Sequence, residues 1–98
     1  MIKHLVFWKQ KGTQQEKETV DTTFRQMICD LIKVLPQMVQ AEVGVNVNTG
    51  NFDVCIDSVF RNREEFDYYM FYPDHVKIKE YMTAASCDKM VFDYECEV

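Results

Sequence analysis

The sequence predicts an α+β domain: four antiparallel strands in one sheet, with the helices gathered on a single face. Changes of hydrophobic period carry that prediction. Apolar residues keep a helical spacing from about residue 13 to 35, alternate over 38–48, and return to a helical spacing after Pro73. The chain opens and closes on aromatic and β-branched runs. The resulting order is β-α-β-β-α(α)-β, undivided by linker, repeat or low-complexity stretch. At 98 residues the chain fits a single domain, residues 1–98. That length buries one core and leaves little surplus stability without a partner.

Ile2-Lys3-His4-Leu5-Val6-Phe7-Trp8-Lys9 reads as the first strand. Ile2, Val6 and Trp8 share one side with His4, while Leu5 and Phe7 take the other. A strand apolar at both parities is covered on both faces. After the loop 9–13, a helix from about Thr13 to Leu35 carries Val20, Phe24, Met27, Ile28, Leu31 and Leu35 in one stripe. Thr13 and Glu16 have the spacing of a capping box, and Pro36 ends the helix. Cys29 is placed on its apolar face.

Residues 38–48 alternate, with Val39, Ala41, Val43, Val45 and Val47 on the apolar side. Asn48-Thr49-Gly50-Asn51 is turn chemistry. The chain returns over Phe52–Phe60, with Phe52, Val54, Ile56 and Phe60 facing one way. Asn62, with Glu65 as its N3 partner, caps a short helix to about Phe71 that turns Phe66, Tyr69 and Met70 inward. Pro73 suits the first turn of a further helix, to about Ala85, anchored by Val76, Ile78, Tyr81 and Met82. Lys89 to Cys96 is the last strand, with Met90, Phe92, Tyr94 and Cys96 opposite Val91.

This order matches the split βαβ, ferredoxin-like plan. Helices cover only one face of such a sheet, yet Leu5, Phe7 and Val91 point to the other and need burial as well. A second apolar face invites a partner sheet. The expected assembly is a homodimer, joined through the face opposite the helices, in which two sheets close a barrel-like core.

Eleven basic residues against 16 acidic give a formal charge of −5, with the basic ones scattered. That balance argues against nucleic acid and anionic membrane as partners. No apolar run approaches the ~20 residues of a membrane span, and the first residues lead straight into a strand, so a cytoplasmic location is expected. The four cysteines, Cys29, Cys55, Cys87 and Cys96, lack metal-ligand spacing and read as buried, inert thiols. With two histidines besides, no metal site and no cofactor are expected.

The stretch Tyr68-Tyr69-Met70-Phe71-Tyr72-Pro73-Asp74-His75-Val76 is too aromatic for a surface loop and holds one of the two histidines. His75 falls in the first turn of the Pro73 helix, beside unpaired N–H groups and the positive end of the dipole, which favours a neutral imidazole. His4, on the parity of Val6 and Trp8, lies under this segment if that parity faces the helices. A neutral histidine can remove a proton α to a carbonyl, and a tyrosine hydroxyl can orient it or hold the enolate oxygen. The bland alternative is a pair of hydrogen-bonded core histidines. An open hollow lined by both imidazoles favours chemistry; solid packing between them favours the core.

These residues resemble the stress-responsive α/β-barrel (dimeric α/β-barrel) domain family along the whole length. The resemblance rests on the strand 2–9, Pro36 closing the first helix, Glu42-Val43-Gly44-Val45-Asn46, and Asp93-Tyr94. Most specific are Tyr69, Pro73 and His75 in the family's Tyr…His-Pro-x-His pattern, with Tyr72 replacing the histidine before the proline. Many members have no assigned activity. One plant member, olivetolic acid cyclase, closes a polyketide ring by cofactor-free aldol condensation, using two histidines and two tyrosines. The resemblance puts His4, His75 and Tyr69 at three of those positions; the fourth, a tyrosine on the first helix, falls at about Ile28.

The resemblance thus implies an acid–base site of His75 as base, with Tyr69 and His4 positioning or stabilising, walled by Trp8, Phe24, Ile28 and Tyr72. The expected function is a small-molecule pocket for a hydrophobic or carbonyl-containing ligand, with cyclase or lyase chemistry as its catalytic form. Two alternatives stand beside it: a non-catalytic ligand-binding or structural dimer, and a monooxygenase of the antibiotic-biosynthesis or haem-degrading kind.

Overall fold

The structure, a computed structural model, describes residues 1–48 and 50–97. Its order is β1 (Ile2–Gln10), α1 (Gln14–Val34), β2 (Met38–Val45), β3 (Val54–Phe60), α2 (Arg63–Phe71), α3 (Pro73–Ala84) and β4 (Ser86–Glu95). The strands form one antiparallel sheet in the order β2-β3-β1-β4, and the helices pack on one face of it. The fold is the ferredoxin-like plan that the sequence predicts. Of the turn at 48–51, Thr49 lies outside the described residues.

Local chemistry sets the helix ends where the sequence puts them. Gly12, at φ 101°, turns the chain out of β1, and a Cβ there would press on the Glu16 side chain at 3.2–3.3 Å. Thr13 accepts from the Glu16 N–H while Glu16 accepts from the Thr13 N–H, closing the capping box. Asn62 accepts from the Glu65 N–H at 2.9 Å to start α2. Tyr72 both ends α2 and begins α3, in extended conformation at φ −66° and ψ 129°. Extended backbone is what a following proline imposes, and Pro73 then opens α3 without losing a hydrogen bond.

The core lies between the helices and one sheet face. Ile2, Val6 and Trp8 of β1, Val54, Ile56 and Phe60 of β3, and Phe24, Ile28, Leu31 and Leu35 from α1 and its cap fill it. α2 adds Phe66 and Tyr69; α3 adds Ile78 and Met82.

Several expectations need correction. Val91 pairs with Val6, so it lies on the helix side; Met90, Phe92 and Tyr94 are the residues that share the open face with Leu5 and Phe7. Phe52 precedes β3 and sets its ring 6.3 Å from Phe7, on the open face, instead of entering the core. β2 stops at Val45, and a register shift between Met38 and Gln40 buries Met38 and leaves Val39 exposed. Val47, beyond the strand, is 95% exposed. Val76 is exposed because the buried row of α3 is His75, Ile78 and Met82. β4 starts at Ser86, three residues before the expected Lys89. The thiols are not buried: Cys29 and Cys87 are exposed, and Cys55 and Cys96 half-buried. Cys29 sits about 100° around the helix from Ile28, just off the stripe.

Candidate functional site

The strand parity of β1 sends His4 to the helix side, where it is 3% exposed. Register places it between Ser58 of β3 and Asp93 of β4. Asp93 Oδ1 lies 2.5 Å from His4 Nδ1. A carboxylate only accepts, so Nδ1 carries a proton and donates it, which in a neutral ring leaves the lone pair on Nε2. The ring packs 5.1 Å from Phe66 and edge-on to Tyr69 at 5.9 Å.

Tyr69 comes from the last turn of α2 and His75 from the first turn of α3. The bend at Tyr72-Pro73 brings their ring centroids to 3.9 Å. His75 Nδ1 is 3.4 Å from the Met70 carbonyl, which accepts its proton and again leaves Nε2 as the basic nitrogen. Burial pushes the His75 pKa down to about 4; the Met70 carbonyl opposes the shift, and the His4, Lys79 and Lys89 charges add to it. The ring is therefore neutral at pH 7, as its sequence position predicts, though desolvation is the main cause. Burial also drives the Tyr69 hydroxyl well above its ordinary range, with Asp93's charge contributing, so it stays a proton donor.

These groups line a cavity of about 140 Å³ that opens between α3 and β4. Trp8, Phe24 and Ile28 line it on the apolar side, together with Val6, Ile56 and Val91. Tyr72 does not belong to it. That side chain lines a shallower groove of about 780 Å³ with Gln37, Glu64, Tyr68 and Phe71, which neither histidine reaches. Tyr68 is correspondingly exposed, not a core residue. Asp93, Lys79 and Lys89 also line the cavity, and the sequence alone does not point to them as site residues. A signal for Asp93 existed, since an antiparallel last strand beside β1 can set it opposite His4. Among the described residues no group of three or more His, Cys, Asp or Glu side chains could hold a metal ion.

The family described as the Stress responsive A/B Barrel Domain matches residues 2–96. The chain belongs to that family. Among solved structures it is similar to a dimeric protein of unknown function and ferredoxin-like fold from Bacteroides fragilis. The two share 26% identity over 97% of this chain and 95% of that one, at a TM-score of 0.88. It also resembles the hydroxynitrile lyase of Passiflora edulis at 17% identity, over 95% of this chain and 90% of that one, with a TM-score of 0.77. An antibiotic biosynthesis monooxygenase matches at 12% identity over the full length of both chains, with a TM-score of 0.80. The latter two likenesses are of fold. No curated protein matches the chain. No described helix is long and apolar enough to cross a membrane.

Proposed function

We propose that this stress-responsive barrel domain is a cofactor-independent acid–base catalyst that moves a proton α to the carbonyl of a small substrate, chemistry of the cyclase and lyase kind. The observation that carries the reading is the 2.5 Å contact between His4 Nδ1 and Asp93, beside a cavity that both histidines line. A base oriented by a carboxylate is the arrangement that holds the imidazole in place and stabilises the imidazolium once formed. In this assignment His4 Nε2 takes the proton. His75, whose pKa is near 4, holds a neutral ring against the substrate, a role closer to positioning than the base role the sequence suggests. The Tyr69 hydroxyl donates a hydrogen bond to the enolate oxygen.

The protein works in this proposal as a homodimer. Leu5, Phe7, Phe52, Met90, Phe92 and Tyr94 give the sheet a second apolar face, and several solved relatives of this fold are described as dimeric. A monooxygenase reading is carried by fold likeness alone.

The test needs no knowledge of the natural substrate. Acetophenone in D₂O exchanges its α-protons slowly, and proton NMR follows the loss of the methyl signal. Wild-type protein is expected to accelerate exchange, His4→Ala to abolish the acceleration, and Asp93→Asn and Tyr69→Phe to reduce it about 10²-fold or more. Exchange no faster than buffer, with acetophenone bound in the cavity, would favour the non-catalytic binding dimer.

A further inference from the structure

Lys79 and Lys89, both exposed residues, line the cavity from two different elements, α3 and β4. Both lie on its lining, and among the described residues neither is part of an ion pair, whereas Lys3, Lys17, Arg61 and Arg63 each hold a carboxylate. The lining's one carboxylate, Asp93, is committed to His4. Two cations facing one mouth repel each other. Burial, and then the charge of Lys79, hold the Lys89 ammonium below its ordinary range. An anion between them would relieve that repulsion.

A second observation lies deeper. Trp8 is 95% buried on the wall, since only 5% of it is exposed, and among the described residues its Nε1–H has no acceptor. An unmade hydrogen bond in the interior is costly, which makes an acceptor brought by an occupant favourable. Apart from the two imidazole lone pairs and the second oxygen of Asp93, the polar groups left free on the lining are donors: the Trp8 indole, the Tyr69 hydroxyl and the two ammoniums. They suit a molecule rich in oxygen acceptors and bearing negative charge. The volume adds a limit, because about 140 Å³ admits roughly one aromatic ring.

We infer that the substrate is a small carbonyl compound carrying a carboxylate, its carbonyl inside the cavity and its carboxylate held at the rim by Lys79 and Lys89. The inference rests on the proposed catalytic pocket and names the chemical class that pocket takes.

The experiment compares 4-acetylbenzoate with 4-acetylbenzamide, a neutral molecule of the same size and the same ketone. Affinities of the full chain are measured by calorimetric titration at low and high salt, with NMR shifts of the His4 and His75 rings locating each ligand. The carboxylate is expected to bind about fivefold to tenfold more tightly than the amide at low salt, with the preference shrinking as salt rises. In the double variant Lys79→Met/Lys89→Met, which keeps the apolar stems, the two ligands should bind alike. Equal affinity in the wild type would overturn the anion inference while leaving the carbonyl pocket standing. A preference that survives in the double variant would overturn the lysine clamp. Failure of both ligands to perturb either histidine would overturn the pocket together with the inference.

Discussion

β3 and β4 flank the same central strand and present the same alternation to the helices, yet they end in opposite environments. On β3 the helix-side residues Val54, Ile56 and Phe60 are sealed, Phe60 completely. On β4 the corresponding Val91 is 48% exposed, and Phe92 on the other face is 57% exposed. The difference comes from the helices. α1 packs on β2 and α2 on β2 and β3, while α3 borders β4 without sealing its helix-side residues. The roofed half supplies stability. The unroofed half supplies the cavity mouth on one face and, in the proposed dimer, the contact surface on the other.

The largest expected effect falls on the roofed half. Phe60 packs against Phe66 and Tyr69, with ring centroids at 5.3 and 4.6 Å. Truncation to Phe60→Ala should cost about 3–5 kcal/mol of unfolding free energy in urea titrations. A loss under ~1 kcal/mol would mean that this half is not the sealed one.

On the unroofed half, Phe92→Asp places a charge on the proposed dimer face. It should weaken association by about 2 kcal/mol or more per copy, read as a shift from dimer to monomer by light scattering across a dilution series. Far-UV circular dichroism should stay native, because the residue adds little to the monomer core. A dimer as tight as wild type would move the interface elsewhere.

Between the two halves stands His75. Its folded pKa of about 4 lies below the ordinary 6.5, so the unfolded chain binds the extra proton first as pH falls. Its contribution is complete above pH 6.5 and is lost progressively down to about pH 4. Allowing for the part of the ring near solvent, about 1–3 kcal/mol should disappear over that window. His75→Gln should flatten this part of the pH profile, measured by urea titrations at pH 7.5, 5.5 and 4.5. An unchanged slope in the variant would show that the ring is not desolvated.

Local signals in the sequence carry well into the structure. The Thr13–Glu16 box, the Asn62 cap, Pro73 at the start of α3 and the inward parity of His4 each depend on neighbours a few residues away. What the sequence hides depends on register between distant segments. Asp93 meets His4 across 89 residues of chain, and a one-residue slip of β4 would send Asp93 to the other face. Val91 faces the helices, against the sequence expectation, for the same reason: parity within a strand does not say which parity its neighbour imposes. Val47 keeps the alternation of β2, but among the described residues the pairing with β3 ends at Val45 opposite Val54. The Lys79–Lys89 pair joins a helix to an edge strand and has no spacing that a sequence could display.

The smallest expected effect is the sharpest probe of the uncovered edge. Val91 faces the same way as Ile56, but its side chain borders the cavity mouth and no helix seals it. Val91→Ala removes two methyl groups that are half in water already, so the loss should be about 0.5–1 kcal/mol, some of it β-propensity and not packing. Ile56→Ala, in the same face across β1, should cost about 2–5 kcal/mol. A Val91→Ala cost approaching that of Ile56→Ala would mean that something covers β4 in solution. The opening between α3 and β4 would then be closed to ligands in the free protein, and the lysines at its rim would have to separate before anything could enter.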